Sequence, residues 1–259
     1  MSTYVVSDLH GQYGVFMKGI EEIGLEPDDF LYVIGDAIDR GNDGIRILQE
    51  IINRPNMDLI LGNHELLMLN SVNPEGKPLC DGGDADLWLD WNGGYTTFAQ
   101  YRQELSDDER KYLLRWLRKR LLIKPLRIQG WDYVLCHTYY IKEHELKPLS
   151  DIPPLDADDI VWCSMFRNDP ETRCENIYAE YPGKLFITGH VPVQRIVPEY
   201  QKKNVLPHLY RQGNLINIDG GLAYGHTGLA DAAIFLRLDD MTEFVVELSH
   251  EGFEDQAEI

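Results

Sequence analysis

Five short apolar runs in this chain each end in a residue that can hold a metal ion. Tyr4-Val5-Val6 leads to Ser7-Asp8, Phe30 to Ile34 leads to Gly35-Asp36, and Leu59-Ile60-Leu61 leads to Gly62-Asn63. Tyr133 to Cys136 leads to His137, and Leu185 to Thr188 leads to Gly189-His190. His10 follows Asp8 by two residues, so one turn can aim both side chains at one ion. Carboxylate, imidazole and amide oxygen together suit Mn²⁺, Fe or Zn²⁺ better than an all-oxygen calcium cage. A carboxylate has two oxygens and can bridge two cations, and Asp36 lies between the other donors in sequence. Two ions roughly 3.5–4 Å apart clamp the attacking and leaving oxygens of an in-line displacement and acidify a shared water. The chemistry these types predict is phosphoester hydrolysis. A strand-terminal Asp alone is an ordinary turn former or helix cap; the joint pattern of five ends carries the reading.

The elements that must position these groups alternate. Helical spacing covers about 13–23, closed by Gly24, and 45–52, where Ile45, Leu48, Ile51 and Ile52 recur at helical intervals. Strand–helix–strand order predicts parallel pairing with crossover helices. Ligands in such sheets bind beyond the carboxyl ends of the strands, so all five ends are expected on one rim. Three late strand signals, Leu215 to Ile218, Ala233 to Leu238 and Phe244 to Leu248, lack long helices between them. They predict a hairpin-connected second sheet or a sheet edge. The middle differs. Gly76 to Gly94 is rich in Gly, Asp and Trp and reads as irregular loop and short helix. Ser106 to Glu109 is a capping box that opens a helix ending in Arg115, Arg118, Lys119 and Arg120.

Composition narrows the partners. The chain has 259 residues and a net charge of −19, from 24 Lys+Arg against 43 Asp+Glu. So acidic a surface repels phosphate backbones at long range, which makes nucleic acid a poor partner. No apolar run approaches a membrane span, so no membrane partner is expected. Cys80, Cys136, Cys163 and Cys174 form no CxxC pair and read as reduced thiols. The amino-terminal residues read as a strand rather than a signal peptide, and the expectation is a cytoplasmic protein. Oligomeric state is not legible in the sequence.

The motifs also resemble a known family. Ser7-Asp8-Leu9-His10-Gly11, Gly35-Asp36-Ala37-Ile38-Asp39-Arg40-Gly41 and Gly62-Asn63-His64-Glu65 resemble the three signature blocks of calcineurin-like metallophosphoesterases. The Asp39-Arg40-Gly41 and His64-Glu65 forms are similar to the phosphoprotein phosphatase branch, including lambda-phage-type and small bacterial serine/threonine protein phosphatases. The resemblance continues through Cys136-His137 and Gly189-His190 to Ile218-Asp219-Gly220-Gly221. It implies one α/β domain over 1–259, with two mixed β-sheets packed as a sandwich between helices, and a family-variable segment of helix and loop at about 72–130. It further implies two divalent ions, Mn²⁺ foremost with Fe or Zn²⁺ possible, one held by Asp8, His10 and Asp36 and one by Asp36, Asn63, His137 and His190. His64 would be the general acid, hydrogen-bonded by Asp39, and Arg40 and Arg167 would bind the substrate phosphate. The implied reaction is phosphomonoester hydrolysis by metal-bound hydroxide, on a phosphorylated protein or small phosphoester. Symmetrical diadenosine tetraphosphatases share the scaffold, so dinucleoside polyphosphate hydrolysis is the rival activity. A catalytically silent phosphate sensor or scaffold is the rival of another class.

Two departures and several ordinary readings stand beside these. Ser7 replaces the usual Gly of the first block, and Thr138-Tyr139-Tyr140 replaces small residues after His137. Arg173 or Arg195 could serve the anion in place of Arg167. Tyr224 and His226 sit in a Gly-rich loop that either approaches substrate or merely turns. His144, His208 and His250 read as surface residues, Cys136 as core rather than nucleophile, and Trp88, Trp91 and Trp116 as packing.

Overall fold

The computed structural model describes residues 1–79, 84–166, 180–202, 204–224 and 229–248, without the side chain of Tyr224. Arg167, Arg173, His226, His250, Cys80 and Cys174 lie outside the described residues.

Two five-stranded mixed sheets form the centre. The first takes the order β10-β9-β1-β2-β3, built from β1 Thr3–Ser7, β2 Phe30–Ile34, β3 Met57–Ile60, β9 Ala232–Arg237 and β10 Thr242–Glu247. β1, β2 and β3 pair in parallel, with α1 Tyr13–Glu22 and α2 Gly44–Asn53 as their crossovers. The second takes the order β4-β5-β6-β8-β7, from β4 Ile123–Ile128, β5 Trp131–Cys136, β6 Lys184–Thr188, β7 Tyr210–Gln212 and β8 Leu215–Asn217. β5, β6 and β8 are parallel, and β4 and β7 close the edges antiparallel.

Alternation along each strand makes the layers. Val5, Ile34, Leu135 and Ile187 point between the sheets and join one apolar cluster, while Tyr4, Val6, Val33, Val134 and Cys136 point outward to the helices. Each fully buried aliphatic contributes about 1.5–3 kcal/mol. An exposed pair such as Arg127–Asp132 contributes under about 1 kcal/mol. The apolar layer, not the surface charge, therefore holds the sheets together. The sheets also touch directly: Ile60 bridges Leu121, and the Leu61 amide donates to the Leu121 carbonyl at 3.0 Å.

The late strands divide between the two alternatives expected of them. β8 belongs to the second sheet, but β9 and β10 form a hairpin that extends the first sheet beside β1. The segment at about 72–130 is not wholly helix and loop, because β4 lies inside it. Pro125 interrupts that strand's signal, and an edge strand tolerates it. The capping box at Ser106 forms as read and opens the helix Asp107–Arg118. His144 is buried against Asp156 at 2.7 Å rather than at the surface, and Trp91 is 83% exposed rather than packed. His208 stays at the surface, paired with Glu243. No helix among the described residues is long and apolar enough to cross a membrane.

Candidate dinuclear metal centre

The five strand ends do meet, but at the seam between two sheets rather than on the rim of one. β1, β2 and β3 deliver Asp8, Asp36 and Asn63 from one side, and β5 and β6 deliver His137 and His190 from the other. Asp8, His10, Asp36, Asp39, Asn63, His64 and His137 are all at most 2% exposed.

The backbone is bent sharply to bring them in. Asp8, His10, Asp36, Asp39, Arg40 and His190 all adopt left-handed φ between 43° and 71°. Residues with a Cβ rarely take this conformation, and such strain collects where the surrounding structure enforces it. Gly189 is required by contact: a Cβ there would lie 1.9 Å from Asp8 Oδ2.

Asp36 is the hub. Its Oδ2 lies 3.4 Å from His137 Nε2, 3.8 Å from His64 Nε2 and 4.0 Å from His10 Nε2. Asn63 Oδ1 lies 2.9 Å from His137 Nε2 and 3.0 Å from His190 Nδ1. The donor atoms of His10, Asp36 and His64 fall within 4.8 Å of one another, as do those of Asp36, His137 and His190. Asp36 thus belongs to both groups, and the first of them contains His64, the expected acid, where the sequence reading placed Asp8. Asp8 is close but differently engaged, since both its oxygens accept from the His190 amide at 3.0 Å.

The donor set fits a divalent cation. The Nδ1–H of His10 donates to the Ile38 carbonyl and that of His137 to the Ile34 carbonyl, both at 3.3 Å. These bonds aim each Nε2 inward, as outer hydrogen bonds do for metal-ligating histidines. The Arg40 guanidinium lies 2.7 Å from His10 Nε2, so a cation already caps that lone pair.

The charges are mutually dependent. Burial alone would raise Asp36, but the imidazoles of His137 and His64 outweigh it and hold the carboxyl well below its usual range. Burial would lower His137, but Asp36, helped by Asp8 and Glu65, pushes it up to about 10. Burial and the His137 charge push His190 down to about 3. Burial and Arg40 hold His10 well below its ordinary value. Burial, with the charges of Asp219 and Asp36, raises Asp8. Burial, opposed by the Gly221 amide, raises Asp219 to about 7.

Some supporting residues were absent from the sequence reading. Glu65 accepts from the amides of Asp36, Ala37 and Gly62 at 2.9, 2.8 and 3.0 Å, pinning two of the metal loops to each other. Its place in the third block marks it, although its task is visible only in space. His64 Nδ1 bonds Asp39 Oδ2 at 2.7 Å, and Trp88 Nε1 donates to that same oxygen at 2.7 Å. Cys136 faces away from the site, and burial raises its thiol, as the core reading requires.

A cavity of about 370 Å³ opens over the hub. His10, Asp36, Asn63, His64 and His190 form its reactive lining, with Arg40, Arg195, Asn92, Trp162 and Asp219 around them. Of the three arginines read for the second anion contact, Arg195 alone is among the described residues, and it lines the cavity.

A family model for calcineurin-like phosphoesterases matches residues 1–228. The chain is 29% identical over 141 residues to "Serine/threonine-protein phosphatase 2" of Salmonella typhimurium, covering 53% of this chain and 58% of that protein. It is 32% identical over 124 residues to "Bis(5'-nucleosyl)-tetraphosphatase, symmetrical" of Salmonella paratyphi C, covering 44% of this chain and 42% of that protein. The match thus spans about half the length of these curated relatives. Among solved structures, a candidate diadenosine tetraphosphatase superposes with a TM-score of 0.57 at 13% identity, covering 96% of this chain and 94% of that one. A cold-active protein tyrosine phosphatase superposes with a TM-score of 0.50 at 18% identity, covering 94% and 78%. At these identities the structural likeness is one of fold.

Proposed function

The chain belongs to the calcineurin-like phosphoesterases, and from that premise we propose that it hydrolyses phosphomonoesters, with phosphoserine or phosphothreonine in protein as the leading substrate. The observation that carries this reading is His64 on the cavity lining with its buried partner Asp39 2.7 Å behind it, and His64 Nε2 turned toward the hub. A general acid helps most when the leaving oxygen is a poor leaving group, as a serine alkoxide is. The phosphate leaving group of a dinucleoside polyphosphate needs far less help.

Asp8, His10, Asp36, Asn63, His137 and His190 would hold two divalent ions, Mn²⁺ foremost and Fe or Zn²⁺ as alternatives. When bound, these ions would neutralise phosphoryl charge and acidify a water. The protein's own groups do the rest. Arg40, exposed at the cavity, presents a planar fork to the phosphoryl oxygens. Water oxygen forms a new P–O bond as the ester P–O bond breaks. The departing oxygen takes a proton from His64 Nε2, leaving inorganic phosphate and a free alcohol. Asp39 keeps the ring aimed through the step.

The second reading is dinucleoside polyphosphate hydrolysis. It is favoured by Arg195 and Trp162 on the cavity wall beside Arg40, which offer a second cation for a second phosphate and an aromatic ring beside the cavity. A hydrolysis screen with added Mn²⁺, across phosphopeptides and dinucleoside polyphosphates, tests both. The expected result is faster turnover of phosphopeptides, lost in His64→Asn while both ions stay bound. Faster turnover of dinucleotides would transfer the proposal to the second reading. Two bound ions with no turnover of either class would leave a silent phosphate binder.

A further inference from the structure

We infer that Trp88 is a positioning residue for the His64–Asp39 pair; the inference rests on the proposed role of His64 as the acid. Asp39 is fully buried, and its Oδ2 takes two donors, His64 Nδ1 and Trp88 Nε1, each at 2.7 Å. Its other oxygen, Oδ1, is buried with no hydrogen-bond partner among the described residues. The carboxylate's rotation is therefore set by two bonds to one atom. Without the indole N–H, His64 would be the one hydrogen-bond partner left to the Asp39 carboxylate among the described residues, and Asp39 could no longer orient His64.

The indole is itself fixed. Trp88 is fully buried, and it sits in a π-helical turn, Leu87–Trp91, a form that recurs at functional positions. Its ring packs edge-on against Phe98, with centroids 6.1 Å apart. Gly94 lets the backbone pass beside it, since a Cβ there would lie 2.5 Å from Trp88 Nε1. The same stretch grips the catalytic turn twice more. The Asp39 amide donates to Thr97 Oγ1 at 2.9 Å, and the Arg40 amide donates to the Gly93 carbonyl at 3.0 Å. Both turn residues hold left-handed φ, 71° and 68°, so the turn needs such outside support. Residues 88–97 thus serve as the mount for the acid and its neighbouring arginine.

The test is a double-mutant cycle in the metal-loaded full chain. Wild type, Trp88→Phe, Asp39→Asn, the double variant and His64→Asn are assayed on a phosphoserine peptide and on 2,4-dinitrophenyl phosphate, whose leaving group needs no acid. Trp88→Phe is expected to lower kcat about tenfold on the phosphopeptide, with KM within about twofold and little change on the activated ester. Added to Asp39→Asn, it should cost less than about twofold more, because the two act as one unit. Equal losses on both substrates, or losses that multiply in the double variant, would overturn the inference and leave Trp88 as packing. If His64→Asn itself shows no preference between the substrates, the acid role fails and takes the inference with it. Should Trp88→Phe not fold, Thr97→Val, nearly isosteric, removes another bond to Asp39 and is read against the same outcomes.

Discussion

The two sides of the site are held by different means. On the first-sheet side, side chains do the bracing: Glu65 ties the loops of Asp36 and Asn63, and Trp88 and Thr97 hold Asp39. On the second-sheet side the donors lean on the first sheet and its loops. His137 leans on the Ile34 carbonyl, and His190 is placed through its own amide on Asp8. The difference follows from the tasks proposed for each. A proton donor must be aimed by the protein, because nothing else aims it. A metal donor needs only to be near, since the ion completes its orientation. Damage to the acid or to the braces of Asp39 should therefore cost turnover with ions retained, and damage to a metal donor or its brace should cost ions first.

Asp36→Asn strikes both sides at once and should have the largest effect. A loss of about a thousandfold or more in kcat/KM is expected, with metal content reduced in elemental analysis. His64→Asn should lower turnover of a phosphoserine peptide by about 10²–10⁴-fold with both ions still bound. His190→Ala should do the reverse, losing an ion and regaining turnover as Mn²⁺ is raised. If His64→Asn lost its ions while His190→Ala kept them, the division of labour would be wrong. Glu65→Gln should weaken metal affinity by about 10–100-fold, read by metal titration, because one end of the amide cannot accept from the backbone N–H groups.

The smallest effect sharpens the contrast between a braced carboxylate and an unbraced one. Both Asp231 oxygens are buried with no hydrogen-bond partner among the described residues. Burial, with the nearby Asp219 charge, pushes its carboxyl up to about 7. A raised carboxyl favours the protonated folded form. What it lends to stability is present at acid pH and is lost as pH rises from the unfolded value toward 7. Asp231→Asn should therefore raise Tm by about 3 °C or more at pH 8, and the gain should vanish near pH 4. A gain independent of pH in thermal denaturation would refute the titration account.

The sequence exposes the donors because each follows its strand directly. Asp8, Asp36, Asn63, His137 and His190 are each announced by an apolar run, and the parallel β1–β2–β3 unit follows from alternation. The braces leave no such trace. Trp88 lies 49 residues from Asp39, in a stretch with neither strand nor helix period, and reads there as packing. Packed it is, but its one polar atom does the positioning. The left-handed turns are equally silent, since nothing in Asp39-Arg40 marks φ above zero. The hairpin β9–β10 could have joined either sheet by pattern alone, and only its pairing with β1 decides. His144 reads as surface because its partner Asp156 comes from a separate helix.

The seam has a consequence for how the molecule is made. The bond from the His190 amide to Asp8 joins residues 182 apart in the chain. At about 5–20 residues per second, a ribosome needs roughly 9–36 s to travel from one to the other. Once β3 is made, the first sheet's three parallel strands can pair locally for the rest of that interval, yet the site lacks its far wall. Closure must wait for the second sheet to dock, so the nascent chain carries its donors half-assembled until synthesis is well advanced.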